Sequence, residues 1–211
     1  MTSHAPARDQ RDSESGTTLS RTDSRKLTDP LELRALAHPN RIKLLAAVGL
    51  RGTLTATEAV EFVGGSPASC AYHLRTLAKY GFIEDAGGQS RRERPWRLTQ
   101  AGLSWNEQAG GTEQRAVARA LGDVVYGEWL ENIRRYRLAS DLYPAEVREV
   151  CGGTEIVLFA TLAEVADVQR QIDAVLAPFK QRGTDPRMRP VGQVPLEMIV
   201  FTHPAVPPPT S

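Results

Sequence analysis

Three arginines, Arg91, Arg92 and Arg94, stand within four positions, just after Gly87-Gly88 and just before Pro95-Trp96. A short way upstream, the stretch from Pro67 to Tyr80 carries Ala68, Ser69, Tyr72, His73, Arg75, Thr76 and Lys79. Guanidinium groups donate to phosphate oxygens or to the edge of guanine, and hydroxyls and small polar groups donate to phosphate or base. The chemistry these residues suit is recognition of a polyanion.

Placed on a helix of 3.6-residue period, Cys70, Leu74, Leu77 and Ala78 fall on one face. Ala68, Tyr72, Arg75, Thr76 and Lys79 fall on the other, with His73 at the border. The first turn, Ala68-Ser69, is small and allows close approach to a major groove about 12 Å wide. A glycine-flanked arginine tip on a hairpin suits a wing lying along the nucleic-acid backbone, where each neutralised phosphate releases a counterion.

Other chemistries find less material. No dinucleotide fingerprint, phosphate loop, paired-histidine zinc motif or nucleophile elbow occurs in a fitting context, so no catalytic residues and no cofactor are expected. The cysteines are two, Cys70 and Cys151, too few for a four-cysteine metal site or a disulfide framework. Cys70 reads as a small buried residue beside Leu74 and Leu77, and His38 as a cap on the end of the first helix; no metal site is assigned.

The elements that must hold these residues are legible from punctuation. Asp29-Pro30 opens a short helix through Leu36, and Pro39 opens another, with Ile42, Leu44, Leu45 and Val48 inward and Gly49 and Gly52 at its end. Thr55 and Glu58 have the spacing of a capping box for a third helix. Gly64-Gly65 makes a tight turn, and Ser66-Pro67 starts the reader helix, which stops at Gly81. Phe82–Asp85 and Arg94–Leu98 read as the two strands of a hairpin with a flexible tip at 86–90, and Thr99 reads as the cap of a following helix.

Beyond the Gly110-Gly111 hinge, Glu113 to about Leu138 reads as one long helix, although Gly122 and Gly127 interrupt its pattern. Its stripe of Val117, Leu121, Val124, Leu130 and Ile133 is the expected dimerisation surface. Aromatic Tyr126, Trp129 and Tyr136 read as packing. Thr154–Leu162 reads as a strand, Ala163 to about Lys180 as a helix and Leu196–Thr202 as a second strand.

The fold class expected is therefore α+β: a winged helix-turn-helix domain, a long dimerisation helix and a small strand-helix-strand unit. Residues 1–28 read as a polar disordered tail, 29–105 as the DNA-binding domain, 106–203 as the dimerisation and effector region, and 204–211 as a Pro-rich tail. Charge follows this division. Residues 30–105 carry ten Lys/Arg against six Asp/Glu, whereas residues 106–211 carry eleven against fourteen. No apolar run approaches the roughly 20 residues of a bilayer span, and Met1 to Lys26 lacks an apolar leader core, so a cytoplasmic protein without membrane contact is expected.

Leu36-Ala37-His38-Pro39 with Arg41-Ile42, then Ser66-Pro67 leading to Tyr72-His73-Leu74, Leu77 and Gly81-Phe82-Ile83, then Arg97-Leu98-Thr99 with Gly102, resemble the ArsR-type winged helix-turn-helix superfamily. The resemblance covers about a third of the chain. It implies a homodimer on double-stranded DNA, a recognition helix at 67–80, an operator that is an imperfect palindrome, and repression governed by a signal such as a small-molecule effector. The chain departs from metal-sensing members: the helix before the reader is Glu58-Ala59-Val60-Glu61-Phe62-Val63, with no cysteine. Two alternatives stand beside this reading: a winged-helix protein-interaction module without specific DNA binding, and a thiol-based redox or metal sensor.

Overall fold

The computed structural model describes residues 24–87 and 94–207. Helix α1 (Pro30–Leu36) starts where the Asp29 carboxylate accepts the Leu31 N–H at 2.8 Å and proline fills the first turn. Helix α2 (Pro39–Arg51) starts by a less usual cap: Nδ1 of His38 accepts the Asn40 N–H at 3.1 Å. His38 thus caps the start of the second helix, not the end of the first, because its ring nitrogen accepts a hydrogen bond and the orphan groups at a helix start are donors. Gly52 (φ 83°) ends α2; Gly49 lies inside it.

Thr55 and Glu58 form the expected reciprocal cap, with the Thr55 N–H donating to Glu58 Oε2 at 2.8 Å and the Glu58 N–H to Thr55 Oγ1 at 3.3 Å. A turn follows, then the short α3 (Val60–Val63). Gly64 and Gly65 take φ of 70° and 78°, which side-chain-bearing residues seldom adopt, and reverse the chain into α4 (Pro67–Lys79). Strands β2 (Ile83–Asp85) and β3 (Trp96–Leu98) pair antiparallel, Ile83 opposite Leu98 and Asp85 opposite Trp96. Leu54 adds a bridge on the far side of Trp96.

Two departures from expectation occur around this unit. No helix follows Thr99. Its hydroxyl donates instead to the Gly81 carbonyl at 2.7 Å, and Leu103–Trp105 form strand β4, parallel to strand β1 (Arg25–Leu27). Gly102 permits this, since a Cβ there would stand 2.8 Å from Ser24 Oγ, and its carbonyl accepts the Arg25 N–H at 2.9 Å. Residues 25–27, expected in the tail, are thus part of the fold, while 1–23 lie outside the described residues; the whole reader domain is the connection between two parallel strands. Arg25 fixes the arrangement: its guanidinium lies 4.8 Å from the Phe82 ring centre and donates to the Tyr80 and Gly81 carbonyls.

Helix α5 (Thr112–Ala139) runs unbroken through Gly122 and Gly127. Its first half packs against α1, burying Ala118, Leu121 and Val125 in the same core as Leu33, Leu36, Leu44, Val48, Leu74, Leu77 and Phe82. Val117 packs against that core as well. Val117 and Leu121 are thus spent on the chain's own interior, where each fully buried aliphatic side chain contributes about 1.5–3 kcal/mol. The stripe reads as continuous in sequence, but α1 covers its first two turns.

A 3-10 turn (Ser140–Leu142), helix α6 (Ala145–Val150) and helix α7 (Leu162–Thr184) follow, the last opened by a Thr161/Glu164 capping box. Helix α7 runs on to the 3-10 turn Pro186–Met188 and touches α2 and β3. Neither Thr154–Leu162 nor Leu196–Thr202 is a strand in the single chain: Leu162 opens α7, and the rest of both segments is irregular. A strand needs a neighbour's ladder, and no backbone hydrogen bond among the described residues joins these segments to each other.

Candidate nucleic-acid interface

Helix α4 is positioned by its two ends and by one buried face. Ser66 Oγ accepts the Ser69 N–H at 3.2 Å, and Pro67 takes the first helical position. Cys70, His73, Leu74 and Leu77 point into the core. On the other side Ala68, Ser69, Tyr72, Arg75 and Lys79 are exposed, Tyr72 by 62%. Thr76 is half-buried, and its hydroxyl donates to the Tyr72 carbonyl at 3.0 Å. Lys79 lies over the Tyr80 ring, 5.5 Å from its centre. Among the described residues Arg75 has no hydrogen-bond or ion-pair partner, so its five donors face solvent.

His73 corrects one expectation. It is only 8% exposed, and its ring packs against His38, tilted by 49° with ring centres 4.6 Å apart. Its Nδ1 is buried without a partner among the described residues, as is Nε of Arg41. Burial, then the neighbouring His38 and Arg41, pushes the His73 imidazole below its ordinary value. His38 is lowered too, by burial and then by Arg41. A neutral, enclosed ring is not placed to touch a groove; it orients α4 against the start of α2.

The hairpin presents its arginines differently from a free cluster. Arg94 Nε lies 3.1 Å from Asp85 Oδ2, and Arg97 donates to Glu84 at 2.9 Å, across the paired strands. These pairs are solvent-exposed, so each contributes about 0–1 kcal/mol, little enough for a phosphate to compete. Arg91 and Arg92 lie outside the described residues. The pairing of Asp85 with Arg94 was open to inference from the hairpin register, since residues flanking opposed positions meet.

Cys70 and the aromatic group around Tyr126 are accounted for by packing. Cys70 is buried, its thiol is pushed up by that burial, and Sγ lies 3.8 Å from the Gly64 carbonyl. Such a thiol is protonated and enclosed, the reverse of a reactive one. Tyr126 meets Trp129 at a tilt and Phe201 edge-on, each with ring centres 5.3 Å apart, and donates to Glu107 Oε1 at 2.9 Å; burial first, and that bond second, push its phenol up to about 12. Among the described residues no three His, Cys, Asp or Glu side chains gather as metal ligands, and no helix is long and apolar enough to cross a membrane.

The sequence reading missed Arg25, which ties the hairpin root to the N-terminal strand, and Arg189, which reaches back to α2. Neither sits in a pattern; each acts on carbonyls far along the chain.

Residues 36–86 match the family model described as a helix-turn-helix domain, of the ArsR-type winged class. That span runs from the end of α1 to the end of β2 and contains all of α4. No protein of curated function matches the chain.

Proposed function

We propose that this chain, which carries an ArsR-type helix-turn-helix domain over residues 36–86, is a sequence-specific, non-catalytic DNA-binding transcriptional regulator. It acts as a homodimeric repressor in the cytoplasm. The observation that carries the reading is α4 itself. A helix held by a capped start, a glycine turn and a buried face turns a bare face to solvent, with an arginine at its middle that has no partner among the described residues. That is what a helix entering a major groove requires.

In this reading Ala68 and Ser69 make the close approach, while Arg75 donates to a base edge or phosphate. Tyr72, Thr76 and Lys79 flank it. Arg91, Arg92 and Arg94 supply backbone contacts from the wing. Two copies related by a two-fold axis meet successive major grooves about 34 Å apart, on an imperfect palindrome. Of the expected dimer stripe, Val124, Leu130 and Ile133 remain available, Leu130 being 68% and Ile133 45% exposed. The C-terminal unit is the place for an effector. The enclosed Cys70 disfavours the thiol-sensor alternative.

The test selects bound fragments from random duplex DNA and titrates the selected site by mobility shift at two salt concentrations. Arg75→Ala weakens specific binding by about 1–3 kcal/mol, the usual value of a good base contact. Joint Arg91→Glu and Arg92→Glu weakens binding to every sequence and flattens the salt slope. Unchanged binding in both variants rejects the reading.

A further inference from the structure

We infer that residues 154–161 and 196–202 are strands that a second copy of this chain completes, so that the C-terminal units of two copies share one sheet. Ile156, Val157, Leu158 and Phe159 are consecutive, and each is more than half exposed, Phe159 by 99%. Successive side chains of an extended segment point to opposite faces. Four such residues in a row therefore leave both faces bare, the pattern of a strand covered on both sides. In the second segment Leu196, Met198, Val200 and Phe201 are likewise more than half exposed. Each segment holds one charge, Glu155 or Glu197. Among the described residues, neither segment makes a backbone hydrogen bond to the other.

The surface is too large to stay in water. The chain exposes 16284 Å². Granting the 33 residues outside the described set the full area of a free chain, roughly 5,200 Å², leaves about 11,000 Å², against about 8,500 Å² for a folded monomer of the remaining size. The surplus, about 2,500 Å² per copy, is what an obligate dimer buries. The second segment also runs along α5, with Glu197 accepting from Asn132 Nδ2 at 3.1 Å and Phe201 against Tyr126. It thereby continues the face that carries Leu130 and Ile133.

A second copy fits better than an unrelated partner because the two halves of the missing sheet lie on one chain. A two-fold axis offers each copy's first segment to the other's second, twice over. The inference rests on the two-fold part of the reading above and is separable from DNA recognition, since neither segment contains an α4 or wing residue.

The test uses the full chain without DNA, with ultracentrifugation for mass and mass-spectrometric amide exchange for protection. The expected mass is twice the 23.1 kDa of one chain, with slow exchange in 154–161 and 196–202 that quickens on dilution. Phe159→Asp and, separately, Met198→Asp return the mass to one chain and remove that protection, while α4 keeps its own. Val157→Cys chains mixed with Met198→Cys chains, both also Cys151→Ser, give a bismaleimide cross-link between unlike copies. A one-chain mass with fast exchange in both segments at tens of micromolar overturns the inference. So does a dimer indifferent to both aspartates, or protection that appears only with added anionic vesicles.

Discussion

At the scale of single residues, the most consequential group is the pair of tilted, packed imidazoles between α4 and the start of α2. His38 and His73 both titrate below the ordinary 6.5, chiefly through burial, with Arg41 adding its charge. The folded chain therefore binds fewer protons than the unfolded one near neutrality. Stability is full above the ordinary value and is lost as pH falls from about 6.5 toward the lowered values. The thermal midpoint is expected to be flat between pH 8 and 7 and to fall below pH 6.5. His73→Leu, which forfeits no bond at Nδ1, should lessen that fall; an equally steep fall in the variant would remove His73 from the account. Sequence spacing sets His73 beside Tyr72 at the edge of the reader face and cannot choose between them. His38 decides it, from a position fixed only when α2 crosses α4.

At the scale of elements, what was legible is what is local. Asp29, Thr55 with Glu58, and Ser66-Pro67 act within three residues of themselves; helices begin at Asp29 and Ser66, whereas the Thr55–Glu58 box closes a turn and α3 starts only at Val60. The strands β1 and β4 are three residues each, without alternation long enough to read, and their pairing joins positions 25 and 103. The end of α2 shows how a local signal acquires a distant constraint. Gly52 is legible as a stop, but a Cβ on it would also stand 2.3 Å from Cγ of Pro186. Gly52→Ala should lower stability by at least about 1–2 kcal/mol from its left-handed backbone alone. It should also loosen the 3-10 turn at 186–188, seen as faster amide exchange there. Unchanged exchange at 186–188 would mean the proline does not rest on that glycine.

For the whole molecule, the packing of α5 on α1 and of α7 on α2 and β3 is joined by a polar clasp made by one guanidinium. Arg189 donates to the carbonyls of Leu50 at 2.9 Å and Gly49 at 2.5 Å, and to that of Arg182 at 2.9 Å. The first two belong to the last turn of α2, the negative end of its dipole. Division of the chain at residue 106 by charge and composition treats the two parts as independent, because a single arginine 140 positions away leaves no periodic trace. Arg189→Met keeps the stem and removes the charge. It should lower stability by about 1.5–3 kcal/mol, the range for a charged hydrogen bond, and expose 182–189 to limited proteolysis. A cleavage pattern identical to that of the unaltered chain would show that the clasp is idle.

The parallel pairing of β1 with β4 also has a temporal side. Arg25–Leu27 leaves the ribosome well before Leu103–Trp105 has been made, and at roughly 5–20 residues per second the interval is several seconds. Throughout that interval the nascent chain holds its first strand without a mate while the helices between are already able to collapse. The N-terminal strand is therefore the last stitch of the reader domain during synthesis, although it is the first to be translated.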